Sequence, residues 1–125
     1  MLGSVADMKH GIPLTLARQQ APLPGFLEVF RRGSLRVELY RPRGHDPQTP
    51  HQQDELYVGV GGSGTFFCDG ERQSFQAGDL LFAAAGAGHR FEAFSDDLEV
   101  WVILFGPPGG ERPTTRTLFG QDVTE

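Results

Sequence analysis

The chain has 125 residues, 38% of them hydrophobic and ten of them Phe, enough to build one core and too apolar for a disordered chain. A net charge of −5 gives no long-range pull on nucleic acid or anionic lipid, and no apolar run approaches the ~20 residues a membrane helix needs. Seventeen Gly and nine Pro favour a turn-rich β fold, while a lone cysteine, Cys68, excludes an internal disulfide and points to a reducing, cytoplasmic setting.

Residues 1–24 read as an N-terminal extension that packs on a partner subunit. Their best helical segment, Leu14–Ala21, is bracketed by Pro13 and Pro22 and is limited to a turn or two. From residue 25 onward the pattern changes to short runs of β-branched and aromatic residues separated by turn signals. FLEVF (26–30) and LRVELY (35–40) flank Arg31–Ser34 and predict a hairpin around Gly33. ELYVGV (55–60) runs into a Gly-rich turn, and TFFC (65–68) meets Asp69–Gly70, the strongest short hairpin signal in the chain. RQSF (72–75), DLLFAA (79–84), HRFEAF (89–94) and LEVWVILF (98–105) complete about eight strands, the number and spacing of a sandwich or small barrel. The last of these is apolar on both faces apart from Glu99, so its outer face needs a second layer or a second subunit, and a homodimer is expected. Residues 111–125 are turn-rich and polar and read as a loosely held tail, in which Leu118 and Phe119 form a docking pair.

The chemistry-bearing stretch opens the third strand. Alternate side chains of an extended strand share a face, so a strand starting near Thr49 aligns Thr49, His51, Gln53, Glu55 and Tyr57. Such a row is poor core, since burying an unpartnered neutral polar group costs ~1–3 kcal/mol. It suits water, a ligand or a metal, whereas the bland alternative is a surface pair at a strand entrance. Downstream, His89, Phe91 and Ala93 share one face of another strand. If both faces are interior, His89 meets His51 and Glu55.

These two stretches resemble the paired motifs of the cupin superfamily, small single-domain β-barrels of jelly-roll type. In the first motif the interval from His51 to Glu55 and the six residues between Glu55 and Gly62 match; in the second, Gly78, Gly86 and His89 fall on register. The departures are specific. Thr49 takes the place of the first motif histidine, Ala84 that of the proline and Ala93 that of the final asparagine, and Gly44 stands one residue out of register. The resemblance covers Gly44 to Ala93 and implies a barrel over residues 25–110, with a divalent metal (Fe, Mn, Ni or Zn) held by His51, Glu55 and His89. Two histidines and a carboxylate also match the facial set of non-haem iron. On the strand pattern, Thr49, Gln53, Tyr57, Phe91 and Trp101 are expected to line the pocket, and Glu55 to double as a base if the metal does not fully engage it. His45, in a proline-flanked loop, is the other candidate for the missing ligand. Two function classes stay open: a metal-dependent dioxygenase or lyase acting on a small oxygenated molecule, and a non-catalytic ligand-binding or sensor module with a weak or absent metal site.

Overall fold

In a computed structural model, which describes residues 10–112 and the short strands at 114–116 and 122–124, the chain forms two facing antiparallel sheets. The larger contains β1 (Gly25–Arg32), β2 (Leu35–Arg41), β3 (Asp54–Gly61), β6 (Leu80–Ala83) and β8 (Glu99–Phe105), in the order β1-β2-β8-β3-β6. The smaller is β5-β4-β7, from β4 (Ser63–Cys68), β5 (Glu71–Gln76) and β7 (His89–Glu92). This is an all-β, jelly-roll arrangement whose two ladders stay separate rather than closing into one continuous barrel. All eight strands expected of the barrel are present. The tail adds a further antiparallel pair, β9 (Thr114–Arg116) and β10 (Asp122–Thr124). Leu118 and Phe119 lie outside the described residues.

The turns form where the sequence permits left-handed backbone. Asp69 (φ 52°) and Gly70 (φ 85°) both have positive φ, which is the twist a two-residue hairpin between β4 and β5 demands. At Gly62 the reason is space as well as φ: a Cβ there would sit 2.8 Å from the Leu98 backbone.

Between the sheets lies the main core. Tyr57 from the large sheet meets Phe66 and Phe91 from the small one at ring-centroid distances of 5.6 and 5.1 Å, and Phe75 packs on Phe91 at 5.3 Å. Leu81, Ala83, Leu98, Val100, Val102 and Leu104 fill the remainder. Each buried Phe, Leu or Val side chain among them contributes about 1.5–3 kcal/mol by leaving water.

A second, smaller core lies on the outer face of the large sheet. There helix α1 (Leu14–Gln20) buries Ala17 against Val29 and Leu39, with Trp101 packed alongside. The extension therefore covers this chain's own sheet over residues 14–21. Arg18 of α1 clamps both oxygens of the buried Glu99 carboxylate with Nε and Nη2 (2.7–3.0 Å), and Arg41 Nε approaches Oε2 at 3.1 Å. That arrangement explains the single charge in an otherwise apolar strand.

Candidate metal centre

Glu55 enters β3 one residue after the strand begins, its side chain turned into the space between the sheets and 1% exposed. His89 opens β7 on the facing sheet and is 5% exposed. His51 precedes β3 in extended chain and is half-buried. Glu55 Oε1 stands 3.4 Å from His51 Nε2 and 3.3 Å from His89 Nε2. All three ligand atoms lie within 4.8 Å of one another, and this is the group of such residues found among those described.

Main-chain bonds set this convergence. The Gly86 amide donates to the His51 carbonyl (2.7 Å), tying the loop before β7 to the approach to β3. Buried Asp54 accepts from the Ala85 amide (2.9 Å) and the Glu111 amide (2.8 Å), holding the same loop from the other side. His89 Nδ1 lies 2.9 Å from the Ala87 carbonyl, so it carries the proton and donates, which leaves the Nε2 lone pair facing Glu55 and His51. That Nε2 is buried and has no hydrogen-bond partner, with Glu55 Oε1 standing 3.3 Å away. Burial pushes the His89 imidazole down in pKa. The Glu55 carboxylate and the Ala87 carbonyl more than offset this, and the net displacement is upward.

A buried nitrogen without a partner, oriented by its other nitrogen and facing a carboxylate, is the arrangement expected of a metal ligand with its supporting shell. The three residues fit a divalent ion. Behind them the Tyr57 hydroxyl donates to Glu55 Oε2 (2.8 Å) and sits 2.8 Å from Gln48 Oε1. Oε2 is thus held by Tyr57 while Oε1 lies between the two imidazoles, a placement that suits a metal ligand.

The open side of the triad faces a cavity of about 340 Å³ whose wall includes Thr49, His51 and Glu55. The other residues expected in the pocket are placed differently. Tyr57 lies beneath Glu55 in the core, and Phe91 is a core residue packed on Tyr57. Gln53 points across the strand ends, donating to the Ser34 and Gly106 carbonyls, because the strand begins at Asp54 and the alternation does not extend back to Thr49. Trp101 lies on the opposite face of β8, beside α1, since Val100, Val102 and Leu104 take the inner face. His45 is exposed in its loop.

Sequence reasoning missed Arg36 and Glu38, which line the cavity from β2. Alternation along β2, with Val37 and Leu39 on one face and Arg36, Glu38 and Tyr40 on the other, was the available signal. Asp46 was missed too. It accepts from the Tyr40 hydroxyl, the Gln48 side chain (2.6 Å) and the Phe91 amide (2.8 Å), anchoring the loop that carries Pro47–Thr49 over the cavity.

Residues 36–105 match the family model of the cupin domain. The chain belongs to the cupin family. An uncharacterized Streptomyces coelicolor protein, SCO3923, is 34% identical over 85 residues, covering 66% of this cupin and 80% of that protein. Among solved structures, a cupin 2 conserved barrel domain protein from Salinispora arenicola superposes with a TM-score of 0.60 at 16% identity, over 80% of this chain and 91% of its own. A conserved protein of unknown function from Streptococcus pyogenes gives a TM-score of 0.62 at 15% identity, over 85% and 96%. These likenesses establish the cupin fold. Among the described residues no helix is long and apolar enough to cross a membrane.

Proposed function

We propose that this cupin holds a divalent metal through His51, Glu55 and His89 and presents it to a small oxygenated molecule in the adjoining cavity. The observation that carries the reading is the buried, unpartnered Nε2 of His89 facing the Glu55 carboxylate. Bound there, a divalent ion supplies Lewis acidity, or oxygen activation if it is iron. The chain's own residues do the rest. Ala87 fixes the His89 tautomer, Tyr57 steadies Glu55, and the Asp46-anchored loop roofs one side of the cavity. A dioxygenase or lyase fits this arrangement, with iron, manganese, nickel and zinc all compatible with the donors.

The second reading is a binding or sensor cupin without turnover. Thr49 favours it, because an exposed hydroxyl in the place of an imidazole lowers metal affinity. Metal analysis of protein purified without added metal, followed by uptake assays on wild type, His51→Ala and His89→Ala, tests the first. An empty site that also takes up none of the four metals overturns it.

The exposed Leu80 (64%) and Phe82 (50%) on the outer face of β6, the sheet's edge strand, support homodimerisation through that face. The free, half-buried Cys68 suits a reducing, cytoplasmic setting.

A further inference from the structure

The inner face of the large sheet is arranged in cross-strand rows. Arg36 on β2 pairs with Leu104 on β8, which pairs with Glu55 on β3; the next row is Glu38, Val102 and Tyr57. A cation and a carboxylate therefore stand two strands from the metal ligand, about 10 Å at the backbone, with only apolar side chains between. Phe26, Val102 and Leu104 make that apolar strip part of the cavity wall.

Neither charged group is fully satisfied by the protein, and only the Coulombic pull of Arg36 on Glu38 links them. Arg36 donates once, from Nη2 to Gln53 Oε1 at 3.2 Å, so most of its fork is free among the described residues. Glu38 is half-buried and has no hydrogen-bond or ion-pair partner among them, although burial pushes its carboxyl up. Thr49, also in the wall, makes no side-chain hydrogen bond among the described residues. A guanidinium fork that lines a cavity wants a carboxylate or similar anion, and a desolvated carboxylate two residues along the strand wants a hydrogen-bond donor. With a divalent ion in place the two cationic centres outweigh Glu38 and Glu55, so the cavity attracts an anion more than a neutral or zwitterionic molecule.

We propose that the cavity binds a small hydroxycarboxylate, with its carboxylate on Arg36 and a hydroxyl on Glu38, and its apolar C–H face along Phe26, Val102 and Leu104. This deepens the metal-site reading above and rests on it for the position of the far end of the ligand. A chain of about five or six carbons, together with the side chains' own reach, closes the roughly 10 Å span.

The test is calorimetric titration of the protein, loaded with Mn²⁺ and separately stripped by chelator, with gluconate, sorbitol and hexanoate. Gluconate carries both functions; sorbitol lacks the carboxylate and hexanoate the hydroxyls. Gluconate is expected to bind at least about tenfold more tightly than either, one lost charged hydrogen bond being worth that much. Arg36→Gln should abolish the preference for gluconate over sorbitol, with Arg36→Lys intermediate. Glu38→Gln should narrow the preference for gluconate over hexanoate. Mn²⁺ affinity is read separately for each variant, because the charge of Glu38 reaches Glu55, and ligand preferences are compared at equal metal loading. Equal binding of the three probes, or a gluconate preference that survives Arg36→Gln in a folded variant, overturns the proposal. A protein that takes up no metal yet shows an Arg36-dependent gluconate preference supports the ligand class while refuting the metal site. Metal uptake without that preference does the reverse.

Discussion

The Tyr57 hydroxyl donates to Glu55 Oε2 across 2.8 Å, from the next position on the same face of the same strand. Because Tyr57 is fully buried, that bond orients a carboxylate which would otherwise be free to turn within the cavity wall. Burial, the Glu55 charge and their hydrogen bond hold the phenol well above its ordinary pKa, so it is a donor throughout the accessible pH range. Tyr57→Phe removes the donor and keeps the packing on Phe66 and Phe91. Metal affinity is expected to fall about 10-fold or more, measured by competition with a chromogenic chelator. Affinity equal to wild type would mean that the bond does not tune the ligand.

Glu38 gives the pH dependence. Burial raises its pKa, offset in part by Arg36. A carboxyl that holds its proton more tightly when folded stabilises the protein below the ordinary carboxylate range, and that contribution is lost as pH climbs through the raised value. In chelator-treated protein, the melting temperature of wild type relative to Glu38→Gln should therefore decline from about pH 4 upward. A difference that stays flat or grows over that window contradicts the placement of Glu38.

Glu99 ties α1 to the sheet. Glu99→Ala leaves the mostly buried Arg41 side chain without its counter-charge, at a cost of about 3 kcal/mol or more. Arg18→Ala removes the partner whose side chain is 39% exposed and should cost about 1 kcal/mol. Denaturant melts of both variants check the order; a costlier Arg18→Ala would reverse the assignment of which arginine is desolvated.

Ala93 sits at φ 47°, a conformation that costs an alanine about 1 kcal/mol. Asparagine, the residue found here in the family motif, tolerates it. Ala93→Asn should raise the melting temperature by about 2–5 °C with no change in metal uptake, as calorimetry would show.

The outer face of β6 offers a test of association. Phe82→Lys should shift the protein from dimer to monomer in light scattering, whereas a wild-type monomer removes the case for that interface.

The hairpins were legible because local chemistry decides them: Asp69–Gly70 and Gly62 take left-handed backbone. The triad was legible only through the cupin resemblance, since tertiary pairing rather than spacing brings His89 to His51 and Glu55. The faces of β8 were not legible, since Trp101 and Val102 are equally apolar and only the docking of α1 on the Trp101 side tells them apart. Gln53 misled because alternation was carried back through residues that precede the strand. Arg36 and Glu38 look like solvent-facing charges in sequence, and it takes the facing sheet to turn their side of β2 inward.

The bond from the Gly86 amide to the His51 carbonyl joins the two halves of the centre through backbone atoms alone. Side chains at positions 49, 51 and 89 can thus be exchanged without disturbing the frame that aims them. In such a scaffold a single replacement alters the donor set alone, and Thr49→His is expected to change metal affinity while the backbone frame stays.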